Sequence, residues 1–170
     1  MGRYLARLLR ERGRLAILEG LPEPTNRLRV AGFRKALKAF PEMAIVASER
    51  ADWMPNLARK ATDGILRRHG DLDAIFAASD AMALGAVKAA KAKGKLRRIF
   101  IVGLDGTREA LQSIKQEELT ATLSTSPREM GRILLRTILR SLIKEERIAR
   151  QIYSPINIVT LENVDQALNP

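Results

Sequence analysis

The chain contains no cysteine, which removes disulfides, thiolate metal sites and a cysteine nucleophile together. Histidine occurs once, as His69 in "RRHGD", so metal sites and proton relays built on several histidines cannot be assembled. Its place before Gly70 reads as a helix end, where an imidazole is a solvated terminus or a charge near the dipole. Aromatic residues make up only 4% of the chain. That leaves no stacking platform for bases, and no zinc-finger or helix-turn-helix spacing replaces one. No apolar run approaches the roughly 20 residues that span a bilayer. The opening "MGRYLARLLRERGR" alternates arginine with leucine and lacks the apolar core and cleavage site of a secretory signal. It reads as a first helix with a leucine stripe.

Acidic residues are the scarcer charge, 19 against 30 Lys and Arg, for a net charge of +11. Such a balance admits an anionic partner. The basic residues are nevertheless spread along the chain, and nucleic acid is not an expected partner. One local pattern is a ridge of Arg128, Arg132, Arg136, Arg140 and Lys144, four apart and therefore on one helix face. It reads as a solvated face. "GLDGT" lacks the glycine pattern and lysine of a phosphate cradle, and Asp80 with Asp105 is not a metal motif. No catalytic residue, metal or cofactor is expected, and the chain reads as a binding protein rather than an enzyme.

What is present is an ordinary globular composition, 46% hydrophobic and 29% charged, arranged as alternating strands and helices. Helix is expected from Tyr4 to Arg12, then strand in "RLAILEG". "LPEPTN" is a loop whose two prolines forbid helix. "RLRVAGFRKALKAF" is an amphipathic helix ended by Pro41, and "MAIVAS" is the second strand. A helix through "PNLARKATDGILRR" leads to the strand "LDAIFAA", then to the helix "DAMALGAVKAAKAKG" closed by Gly94. "RRIFIVGLDG", a short helix near "REALQSIKQ" and the strand "LTATLST" complete the series. Nearly continuous apolar strands separated by helices indicate an α/β fold, an open and mostly parallel five-stranded sheet wound on both faces. This unit covers residues 1–126, and a C-terminal helix and strand extend it over 127–170.

In open parallel sheets, ligands bind beyond the carboxyl ends of the strands. Here those ends carry Arg29 after strand one, Asp52 and Trp53 after strand two, Ser79 and Asp80 after strand three, Asp105 after strand four and Thr125 after strand five. A guanidinium offers forked donors and a carboxylate paired acceptors, so Arg29 and Asp105 suit neighbouring hydroxyls. Trp53 suits the C–H face of a sugar ring. Structural roles compete at each position. Arg29 can pair with a nearby carboxylate, Trp53 can belong to the core, Asp105 can cap the next helix, and Ser79 or Asp80 can cap the one before it.

The ordered segments "RLRVAGFRKAL", "ASERADW", "LDAIFAASDAMALGAVKAAKAKGK", "IFIVGLDGT", "LTATLSTSPREMG" and "PINIVTLENVD" resemble the second half of a type I periplasmic binding protein. The nearest group is the ribose-binding-protein-like sugar receptors of ABC transporters, whose lobes have a Rossmann-like fold. "DAMALGA" followed by "VGLDG" is also similar to lactose-repressor-type regulators, which makes an effector-binding domain the alternative, while the final "PINIVTLENV" favours the receptors. The resemblance implies that Arg29 clamps a sugar, that Trp53 supplies the stacking ring and that Asp105 accepts hydroxyls. Ser79 and Thr125 stand where that group often has asparagine and glutamine. Both are shorter, which makes room for a bulkier monosaccharide or a polyol. Ser79 is thus expected to face the cleft and Asp80 to cap the helix behind it. The implied partners are the sugar ligand and a membrane permease, and the implied location is the periplasm or the outer face of the membrane. A first lobe is expected to precede Met1.

The extension carries Met130, Ile133, Leu134, Leu135, Ile138, Leu139, Leu142 and Ile143, a stripe wider than a solvent-facing helix normally has. The resemblance implies that this helix packs on the other lobe. A homodimer through the helix, with the "IYSPINIVT" strand exchanged between partners, is expected of the chain alone.

Overall fold

The computed structural model describes residues 1–169; Pro170, the last residue of the expected extension, lies outside them. The chain starts with α1 (Gly2–Leu8), earlier than the spacing predicts. Arg10 and Glu11 take left-handed φ values of 53° and 64°, which ends the helix and lets β1 (Arg12–Glu19) begin. Then follow α2 (Pro24–Leu37), β2 (Glu42–Arg50), α3 (Pro55–Arg68), β3 (Ala74–Ala77), α4 (Asp80–Ala92), β4 (Phe100–Asp105), α5 (Arg108–Lys115) and β5 (Ala121–Thr125). Pro24 and Pro55 stand in the first turns of α2 and α3, where a missing N–H costs nothing. His69 is the C-cap of α3, as the sequence indicates.

The sheet order is β2-β1-β3-β4-β5-β6, with the first four pairings parallel. The doubly wound expectation therefore holds. β6 (Ile156–Val159) joins antiparallel to β5, with Thr125 opposite Ile156. Within this chain β6 pairs with its own β5 along one edge; the expected exchange of the strand concerns a second copy and belongs with the homodimer proposed below. α7 (Val164–Leu168) then packs on α5. Among the helices, α1 packs with α2, while α3 packs with α4 and α4 with α5. Right-handed crossovers place these two groups on opposite faces of the sheet.

Burial on both faces explains the unbroken apolar strands. Leu15, Ala16, Ile17 and Leu18 of β1 and all of β3 lie within the core. Phe76 of β3 stacks on Phe33 of α2, ring centroids 4.0 Å apart and nearly parallel, which fixes α2 against the centre of the sheet. Among the described residues, no helix is long and apolar enough to cross a membrane.

The strand order reverses between β1 and β3, since the chain moves outward to β2 before returning. Such a switch point opens a crevice at the carboxyl ends of the two central strands. α6 (Pro127–Lys144) is unlike the rest: no other described helix or strand packs closely along it, and only the segment around Ile148–Ser154 flanks its Ile133–Thr137 side.

Candidate functional site

Arg29 lies in the second turn of α2 and reaches over the switch point. Its Nη1 donates to the carbonyl of Ala78, just past β3, at 2.6 Å. Its Nη2 donates to Asp105 Oδ1, at the end of β4, at 2.7 Å. One guanidinium thus joins α2, β3 and β4 while keeping further N–H groups for a ligand. Both side chains are about one-third exposed, so the pair is at a rim rather than in the core. The guanidinium carbon also stands 5.7 Å from the centre of the Trp53 ring, a cation–π distance.

Trp53 arrives by a strained turn. Asp52 and Trp53 have successive φ values of 49° and 66°, and Arg50 braces the turn by donating to Asp52 Oδ1 at 2.8 and 3.1 Å. Consecutive left-handed residues that are not glycine cost roughly 1–2 kcal/mol each. Such strain is concentrated at functional sites. The indole lies against Gly20 at the end of β1, where an added Cβ would come within 2.2 Å of the ring. Its Nε1 donates to Glu23 Oε1 at 3.0 Å. Trp53 is half-buried rather than core.

Asp105 takes φ 129°, and its geometry is imposed by the following loop. Gly106 N and Thr107 N both donate to Asp80 Oδ2 at 2.8 Å, while Thr122 Oγ1 donates to Asp80 Oδ1 at 2.6 Å. Gly106, at φ 78°, packs so closely on Ser124 that a Cβ would meet its Oγ at 2.3 Å. Asp80 is fully buried. Burial pushes its carboxyl above the usual aspartate range, the nearby Asp105 charge adds to the rise, and the three hydrogen bonds oppose it. Asp105 does not cap α5; the Thr107 hydroxyl does, accepting from Ala110 N.

The expected division between Ser79 and Asp80 is corrected. Ser79 is the N-cap of α4, its Oγ accepting from Met82 N at 3.3 Å, and it is only 6% exposed. Asp80, one residue on, turns away from the helix terminus to hold the β4–α5 loop. Ser79 keeps a hydroxyl proton to donate and one lone pair, the other being used on the helix terminus. Thr125, at the end of β5, is half-buried at the same edge of the sheet.

The structure therefore brings Arg29, Asp105 and Trp53 into one cluster and keeps Ser79 and Thr125 at its margins. Glu23 belongs to the cluster and was missed, because only the approach of two separate loops brings it to the indole. The cluster is an open edge. A groove of about 410 Å³ beside Arg29 is walled by apolar groups, including Leu28, Leu104, Leu123 and Ile156. A larger groove of about 440 Å³ lies on α6 and has no part in this constellation.

The cluster thus sets a donor fork, a carboxylate and a half-buried indole side by side at the sheet's switch point. The family model described as "Periplasmic binding protein domain" matches residues 1–146, and the chain belongs to that family. The ribose import binding protein of Haemophilus influenzae is 31% identical over 160 residues, covering 94% of this chain and 53% of that protein. A periplasmic solute-binding protein of Actinobacillus succinogenes, solved with D-allose, superposes with TM-score 0.89 at 31% identity, over 97% of this chain and 59% of that one. A solute-binding protein of Bacillus halodurans with bound myo-inositol superposes with TM-score 0.86 at 25% identity, over 99% of this chain and 58% of that one. The chain spans about half the length of the relatives it matches.

Proposed function

We propose that this chain is the ligand-binding lobe of a sugar receptor serving an ABC transporter, working with a membrane permease in the periplasm or at the outer face of the membrane. The Asp105–Arg29–Trp53 cluster at the switch point carries the reading. Arg29 and Asp105 hold adjacent hydroxyls of a monosaccharide or cyclic polyol, and Trp53 covers its C–H face. Ser79 donates one further hydrogen bond and Thr125 closes the β5 side. The matched relatives include a ribose import binding protein and a D-allose-binding periplasmic protein, which favours this role over the effector domain of a regulator.

Affinity of the chain alone follows from the open edge. A receptor enclosing its ligand with micromolar affinity has about −8 kcal/mol, and about half of that corresponds to millimolar binding. Titration with D-ribose, D-allose and myo-inositol, followed by NMR, is expected to give millimolar dissociation constants. Asp105→Ala and Trp53→Ala are each expected to abolish the response while the protein stays folded. Binding unchanged in both variants would remove the assignment.

α6 supports a second proposal, that the chain self-associates as a homodimer. Leu134, Leu135, Leu139, Leu142 and Ile143 are all exposed on a helix along which no other described helix or strand packs closely. Exposed apolar surface of that extent marks an interface. The Arg128–Lys144 ridge stays in solvent, with Arg132 near Glu129 and Arg140 paired to Glu146. Light scattering is expected to give a dimer, and a monomer for Leu135→Asp with Leu139→Asp. A wild type that remains monomeric at high concentration would exclude it.

A further inference from the structure

Glu23 occupies the N-cap position of α2, where glutamate is a poor choice, and its side chain makes no capping hydrogen bond. The carboxylate turns instead to the neighbouring loop and accepts from the Trp53 indole. Pro24 behind it sets the first turn of α2 without needing a side-chain cap. Three groups from three different segments therefore bear on one ring: Gly20 against its face, the Arg29 guanidinium over it at 5.7 Å and Glu23 at its N–H edge. Gly20 and Arg29 restrain the position of the ring. The directional bond to Glu23 adds a restraint at the N–H edge that favours one setting of the Trp53 side-chain torsions.

We propose that Glu23 is a positioning residue that locks the Trp53 indole for stacking, and that it thereby sets the preference of the site for cyclic over open-chain polyhydroxy ligands. The ligand half of this rests on the sugar-binding function proposed above. A ring sugar or cyclitol offers a rigid, flat C–H face that gains from a fixed partner ring. An open-chain polyol has no such face and depends on the hydrogen-bonding side chains, chiefly Arg29 and Asp105. Loss of Glu23 consequently weakens the cyclic ligand and spares the acyclic one.

Trp53 is the sole tryptophan, so a 15N–1H spectrum carries a single indole signal that reads the anchor directly. In Glu23→Ala that signal is expected to shift and its proton to exchange faster with water, and Glu23→Gln, which retains an acceptor oxygen, is expected to restore most of both. D-allose and sorbitol serve as the cyclic and acyclic probes. Glu23→Ala is expected to weaken D-allose about fivefold and to leave sorbitol unchanged, with circular dichroism confirming the fold. An indole signal unaltered in Glu23→Ala would overturn the anchor. An altered signal with both ligands weakened equally would overturn the selectivity. An altered signal with no response of the wild type to either ligand would overturn the sugar-binding reading itself and the selectivity with it, leaving the anchor in place.

Discussion

β1 and α6 carry similar side chains into opposite surroundings. Leu15, Ile17 and Leu18 of β1 are fully buried, whereas Leu134, Leu142 and Ile143 of α6 are 62%, 75% and 73% exposed. Composition does not separate them, and each segment has the periodicity of its own secondary structure. The difference is topological. β1 lies between β2 and β3 and under helices on both faces, all within the chain. α6 leaves the sheet after β5, and the chain returns only at β6. A hydrophobic stripe therefore reports that a surface is meant to be covered, and connectivity decides whether the same chain covers it.

The comparison breaks most sharply at Phe76. This ring is 1% exposed at the centre of β3 and stacks on Phe33. Phe76→Ala is expected to lose about 3–5 kcal/mol in urea unfolding, the usual cost of truncating a packed aromatic. A loss below about 1 kcal/mol would mean that the centre of the sheet is no better packed than α6.

Next comes the polar part of the same core. Asp80→Ala strands the amides of Gly106 and Thr107 and the Thr122 hydroxyl, and is expected to cost about 3 kcal/mol. Asp80→Asn keeps an acceptor and avoids burying a charge, so it is expected to cost less. Its pH dependence has a definite sign. Because the folded carboxyl titrates above its unfolded counterpart, the folded state holds the proton more tightly. The stability Asp80 contributes is fully present below the unfolded pKa and is lost as pH rises through the folded one. The wild type should therefore gain on Asp80→Asn as pH falls through that window, measured by urea unfolding at a series of pH values. A gap that shrinks toward acid would contradict the assignment.

Much of this was readable from the sequence. Five apolar runs, their helices and the polar residues at their ends located the sheet edge, and Arg29, Trp53 and Asp105 do meet there. Ser79 and Asp80 were reversed because both are good N-caps and adjacent, and spacing alone cannot say which side chain turns back to the helix. The structure decides through Gly106 and Thr107, whose amides both donate to Asp80 Oδ2 at 2.8 Å. Glu23 was invisible for a different reason: its partner is 30 positions away on another loop. The antiparallel return of β6 was equally hidden, since four residues of "INIV" pair as readily with a neighbouring chain as with their own sheet.

The smallest expected effect is also the most discriminating. Leu142 is 75% exposed, so Leu142→Ala removes few contacts in the isolated chain. Alanine is at least as good a helix former as leucine, so even the sign of the change is open to a slight stabilisation. The expected difference in dilute solution is within about 0.5 kcal/mol, as for other exposed substitutions. Self-association alters that expectation in a concentration-dependent way. If a second copy covers α6, the leucine becomes buried, and its loss then costs roughly 1.5–3 kcal/mol. Stability measured at low and high protein concentration should therefore show the variant equal to wild type in the first and weaker in the second. Equality at both concentrations would leave α6 uncovered by its own copy and would count against the homodimer. A deficit already present in dilute solution would instead mean that α6 packs within the chain.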